Sequence, residues 1–140
     1  MTITGLPLHP LVVHAVVVLL PLMALVTVLV AVRPTLRGRR IWWVVGANAV
    51  MTGVTLLAKE SGESLQRSLG GRIAQEHGQM GEIMPVFAGV LFLASVAVAL
   101  TRRSRTLGTA ATVVSVLAAA AAVVWTVRTG DSGARAVWQR

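Results

Sequence analysis

Four stretches of this chain contain no Asp, Glu, Lys or Arg: 10–32, 41–58, 83–101 and 108–127. A bilayer's hydrocarbon core is about 30 Å thick and takes about 20 helical residues to cross. Each stretch is close to that length. In lipid the backbone must satisfy its own hydrogen bonds, so such segments are helices. Composition agrees. Apolar residues make up 55% of the 140 and charged residues 13%, with a mean hydropathy of +0.75. A soluble domain carries about 25% charged residues. The expected fold is therefore all-α: a polytopic membrane protein whose single domain, residues 1–140, is a four-transmembrane-helix bundle. Soluble, fibrous and disordered chains are excluded.

The formal net charge of +8 points to topology and not to nucleic acid, because basic residues flanking spans set orientation. One loop carries Arg33, Arg37, Arg39 and Arg40, and another carries Arg102, Arg103 and Arg105, without an acid in either. Both arginine loops (33–40 and 102–105) are expected in the cytoplasm of a cell-membrane protein, with both termini outside. The first span lacks a basic leader and a small-residue cleavage site, so it reads as a retained helix. This orientation gathers all five acids (Glu60, Glu63, Glu76, Glu82, Asp131) and all three histidines (His9, His14, His77) toward the outer face. Any chemistry belongs there. Without cysteine, thiolate metal sites and disulfides are excluded.

Between the second and third spans, Leu65, Leu69, Ile73, His77, Met80 and Met84 recur at three- or four-residue steps. The pattern predicts an amphipathic outer helix over about 62–80, lying at the interface with His77 on its apolar side. His9 and His14 are five residues apart, about 140° around a helix, so they do not share a face as an i, i+4 pair would. At about 1.5 Å per residue from the far span ends, His14 stands roughly 27 Å up, His9 about 35 Å and His77 about 36 Å. His9 and His77 are thus level, and His14 is deeper. In span 2, Asn48, Thr52 and Thr55 fall on one face, and Ala49 and Gly53 form a small-xxx-small pair; both sets are expected at helix contacts, the polar ones through interhelical hydrogen bonds. Trp42, Trp43 and Trp125 lie at span ends as interfacial anchors. No nucleotide, zinc-protease or serine-hydrolase motif is present.

The run Leu-His-Pro-Leu-Val-Val-His at 8–14 resembles a known pattern, as do Thr52 and Gly53, the stretch Ser61, Gly62, Glu63, Ser64, Leu65, the pair His77 and Gly78, and the stretch Gly130, Asp131, Ser132, Gly133, Ala134. Their order and spacing resemble the bacterial membrane family known as domain of unknown function 2231, over almost the whole chain. That family commonly has His-Phe-Pro where this chain has His14, Ala15 and Val16, and histidine where this chain has Asp131. The resemblance implies a four-helix membrane fold and matching positions at His9, His14, His77 and Glu63. Fusion of some relatives to Rieske-type iron–sulfur domains implies an association with electron transfer.

The sharpest functional expectation is haem b, or alternatively a Zn or Cu ion, bound by outer-face histidines. Histidine pairs ligate haem and bundles hold cofactors between facing helices. The favoured haem pair is His14 with His77, with His9 replacing His14 if the depth estimate holds. The metal alternative draws on His9, His14, His77, Glu63 and Glu82. The competing reading is a non-catalytic membrane subunit or scaffold, and a small transporter ranks below both. Expected partners are the lipid bilayer and a membrane redox protein or a second copy of the chain. Nothing pairs a nucleophile with a base, so the balance is against an enzyme.

Overall fold

The computed structural model describes residues 2–3, 6–70 and 75–138. A short antiparallel pair, β1 (Thr2–Ile3) with β2 (Leu6–Pro7), precedes four helices: α1 (Leu8–Val32), α2 (Ile41–Ser68), α3 (Gln75–Thr101) and α4 (Arg105–Trp138). All four are long and apolar enough to cross a membrane. Each helix packs on the next, α4 closes back on α1, and α1 meets α3 across one diagonal. Pro21 sits inside α1 without ending it.

Contacts fix the directions of the helices. His9, at the start of α1, hydrogen-bonds Ala58 late in α2. His77, at the start of α3, hydrogen-bonds Thr129 late in α4. Neighbours are therefore antiparallel, and the starts of α1 and α3 share one end of the bundle. The opposite end carries the arginine loops. The core falls into two parts: Leu20, Met51, Met84 and Leu91 toward the histidines, and Ala31, Ile41, Val98 and Ala111 toward the arginines.

The helices extend beyond the charge-free stretches. Residues 62–68, expected in a separate interfacial helix, continue α2, and 75–80 open α3; 71–74 lie outside the described residues. Propagating a helix costs far less than starting one, so the polar run after Ala58 prolongs α2. Gly70, at φ +79°, ends it in the left-handed conformation that glycine adopts without a Cβ penalty.

The structure also reverses two packing expectations. Ala49 and Gly53 face outward, and a Cβ built on Gly53 meets nothing within 4 Å. The inward face of α2 carries Asn48 and Thr55 instead, because lipid offers an amide or hydroxyl no hydrogen-bond partner. Trp125 is not a belt residue. It stacks on Phe87 with centroids 5.1 Å apart and donates from Nε1 to the Met80 carbonyl at 3.0 Å, tying α4 to α3.

Asn48 is buried and donates from Nδ2 to Thr27 Oγ1 at 2.9 Å, while its Oδ1 has no partner among the described residues. An orphaned buried acceptor costs about 1–3 kcal/mol. The Thr27 hydroxyl already donates to the Met23 carbonyl, so removing Asn48 orphans nothing. Asn48→Leu is expected to match or exceed the wild-type melting temperature in detergent, whereas Asn48→Asp, which buries a charge, should lower it sharply. The reverse order would contradict this account of the core.

The helices repeat. At one constant offset, buried Val16, Leu20, Thr27, Val30 and Ala31 of α1 correspond to buried Met84, Ala88, Ser95, Val98 and Ala99 of α3. At another, buried Val44, Asn48, Met51, Thr55, Ala58 and Ser61 of α2 correspond to buried Ser115, Ala119, Ala122, Thr126, Thr129 and Ser132 of α4. The bundle is thus two parallel helical hairpins, α1–α2 and α3–α4, related by a pseudo-twofold axis along the helices, one of the repeat arrangements known in membrane proteins.

Candidate functional site

The repeat carries a side-chain device at the histidine end, built once in each hairpin. In the first, His9 Nδ1 lies 3.1 Å from the Ala58 carbonyl and 3.3 Å from Ser61 Oγ. In the second, His77 Nδ1 lies 3.0 Å from the Thr129 carbonyl and 3.3 Å from Ser132 Oγ. Each serine donates its own proton to the same carbonyl, Ser61 at 3.0 Å and Ser132 at 2.8 Å. A carbonyl can only accept, and a serine whose proton is committed can only accept from the ring. Both imidazoles must therefore carry hydrogen on Nδ1 when neutral, which leaves a lone pair on Nε2.

The next residue along each helix completes the socket. A Cβ on Gly62 would lie 2.8 Å from His9 Cε1, and one on Gly133 would lie 3.0 Å from His77 Cε1 and Nδ1. Only glycine lets the ring lie this close to the helix. An acid precedes each serine, giving Glu60, Ser61, Gly62 in one hairpin and Asp131, Ser132, Gly133 in the other. This short repeated triplet, whose serine stands six residues after a buried Thr55 or Thr126, is the sequence signal that could have exposed both sockets. Residue-by-residue reading passed over it because helix packing alone accounts for small residues.

The pseudo-twofold axis brings the two half-buried rings together, with centroids 6.3 Å apart and planes at 71°. His14 does not join them. Its ring is exposed and its Nδ1 bonds the Pro10 carbonyl one turn back. Glu63 pairs with Lys59 at 3.8 Å, and Glu82 is exposed on α3. Asp131 is exposed and pairs with Arg135 at 2.8 Å. Among the described residues, no three of His, Asp and Glu converge on one point. The five residues expected as a metal set are therefore distributed, with only the His9 and His77 rings side by side, edge toward face.

A family model described as a predicted membrane protein, DUF2231, matches residues 5–140. The chain belongs to that family. No curated protein and no solved structure matches it. In this DUF2231 chain the positions that carried the resemblance sort into two groups. His9, Ser61, Gly62, His77, Ser132 and Gly133 build the paired sockets, whereas His14 and Asp131 lie outside them.

Beside the sockets, α2 and α3 leave an open polar groove of about 640 Å³ lined by Lys59, Glu63, Gln66, Arg67, Gln75, Gln79 and Glu82. It lies between the two hairpins, and its residues alternate with those of the sockets: Lys59 and Glu63 flank Ser61 and Gly62, and Gln79 follows His77.

Proposed function

We propose that this membrane protein binds a b-type haem between His9 and His77 and serves in electron transfer at the outer face of the cell membrane. One observation carries the reading: two imidazoles, one from each hairpin, are each fixed through Nδ1–H on a backbone carbonyl. Metal-ligating histidines are typically oriented this way, with the distal ring nitrogen left to the metal. The spacing suits the role. Two metal–nitrogen bonds of about 2 Å, with about 1 Å from each Nε2 to its ring centroid, would span about 6 Å if both Nε2 atoms faced one metal, against 6.3 Å here. His9 and His77 would then be the residues that hold the haem iron. Zinc commonly takes three or four protein ligands and would find two. When bound, the haem would supply a one-electron couple. The chain would hold its axis, keep both imidazoles in the ligating tautomer and surround them with helix.

With the arginine loops cytoplasmic, the site faces outward, within reach of a redox partner at that surface. The test is the air-oxidised minus dithionite-reduced spectrum of protein purified in mild detergent, with metal analysis on the same sample. A Soret band that shifts on reduction is expected. His9→Ala and His77→Ala should each abolish it, while His14→Ala should retain it. A colourless sample that also fails to develop a Soret band with added haemin would sink the haem reading. One metal ion per chain in that sample would favour Zn or Cu, and its absence would favour a scaffold subunit.

A further inference from the structure

Resting on the haem reading, we infer that the α2–α3 groove receives the carboxylate-bearing edge of the porphyrin, so that the macrocycle enters the bundle in one orientation only. The two ligands come from opposite hairpins. A planar ligand centred between them therefore stands in the cleft separating the hairpins, and that cleft has two edges, α2–α3 and α4–α1. The repeat makes those edges equivalent in position but not in chemistry. Lys59, Glu63, Arg67, Gln79 and Glu82 on the first correspond to Gly130, Ala134, Trp138, Leu11 and His14 on the second. One edge is polar and open to water, and the other is apolar apart from His14.

A protoporphyrin has the same division, with two carboxylates on one side and only hydrocarbon on the other. Against the α4–α1 edge a carboxylate would find only the His14 imidazole, whose Nδ1 already bonds the Pro10 carbonyl, and burial there would be costly. Lys59 is paired with Glu63 at 3.8 Å, so the charges left facing the ligand are Arg67 and Glu82, and the Gln66 and Gln79 amides add donors. The groove's size, about 640 Å³, lies within the range of small-molecule sites. Arginine suits the task because its planar fork matches a carboxylate.

The test compares haemin with its dimethyl ester, titrated into detergent-solubilised wild type, Arg67→Ala and His9→Ala and followed by the Soret band. Wild type should bind haemin roughly tenfold more tightly than the ester, the worth of one charge-assisted hydrogen bond. Arg67→Ala should lose about that factor for haemin and bind the ester as wild type does, which also shows that the variant is folded. Equal binding of haemin and ester by wild type, with the His9-dependent Soret band intact, would overturn the groove assignment and leave the haem reading standing. No His9-dependent Soret band with either compound would overturn both.

Discussion

Alanine at Gly62 or Gly133 should expel the neighbouring imidazole while leaving the bundle folded. The new Cβ would lie 2.8 Å from His9 Cε1 in the first case, closer than carbon atoms pack, and 3.0 Å from His77 Cε1 in the second, where the ring must give way by a few tenths of an ångström. The ring cannot simply retreat, because its Nδ1 is tied to a carbonyl one turn earlier on the same helix as the glycine. Relief comes from swinging the ring out of the socket and breaking that bond. Overpacking costs about 1–3 kcal/mol and the lost hydrogen bond about 1 kcal/mol. Against this stands up to about 1 kcal/mol gained by replacing glycine with alanine inside a helix. The net effect on folding is modest, and the effect on the paired rings is total. Far-UV circular dichroism should match wild type, and the haemin titration should fail in both variants. Gly53→Ala and Gly89→Ala, where a Cβ meets nothing within 4 Å, should bind as wild type does. A Gly62→Ala protein with a wild-type titration would show that the ring does not use this socket when it binds.

The second large effect belongs to the other end of the bundle. Arg37→Ala should destabilise the fold by about 2 kcal/mol, the range for hydrogen bonds from a charged donor. The guanidinium donates through Nε to the Ala31 carbonyl at 3.0 Å, reaches the same oxygen through Nη2, and donates from Nη2 to Thr112 Oγ1 at 2.8 Å. Ala31 lies in the last turn of α1, whose carbonyls have no partner within their helix and attract a cation. Arg37 therefore caps α1 and clamps it to α4 at once. Thermal unfolding in detergent should show a clear drop in Tm for Arg37→Ala. Arg39→Ala and Arg40→Ala, both exposed, should stay within about 0.5 kcal/mol of wild type. Three equal drops would mean that the arginine loops act through net charge and not through this clamp.

Arg37 also marks how far the sequence could be read. Hydropathy sees four arginines in one loop and assigns all of them to topology. Which one folds back under α1 depends on the Pro34–Leu36 turn and on Thr112, distant in sequence. The spans and the gathering of histidines at one end were legible because lipid leaves the backbone no alternative to helix. The level placement of His9 and His77 followed from helical rise alone. Their partners did not, since Ala58 and Thr129 contribute backbone carbonyls, which every residue possesses. The separate outer helix was misread because period alone cannot tell a new helix from the prolongation of an old one. On α2 the expected interhelical hydrogen bond is present, from Asn48 to Thr27, but Ala49 and Gly53 were misread, because small residues suit lipid as well as a helix contact. Asn48 had the stronger claim to the inside, since hydrocarbon could not satisfy its amide.

The duplicated hairpin has a consequence for how such a protein can diversify. Two separate, identical hairpins pairing about a twofold axis would build the same facing imidazoles, but symmetry would oblige both rims of their cleft to be alike. Fusing the halves into one chain lifts that obligation. Each rim can then carry its own chemistry while the sockets at the centre stay matched, and the two rims here do differ: one is hydrophilic and the other apolar apart from His14. A symmetric pair of hairpins must present one kind of rim twice. Only a fused chain can make the two ends of such a cleft differ.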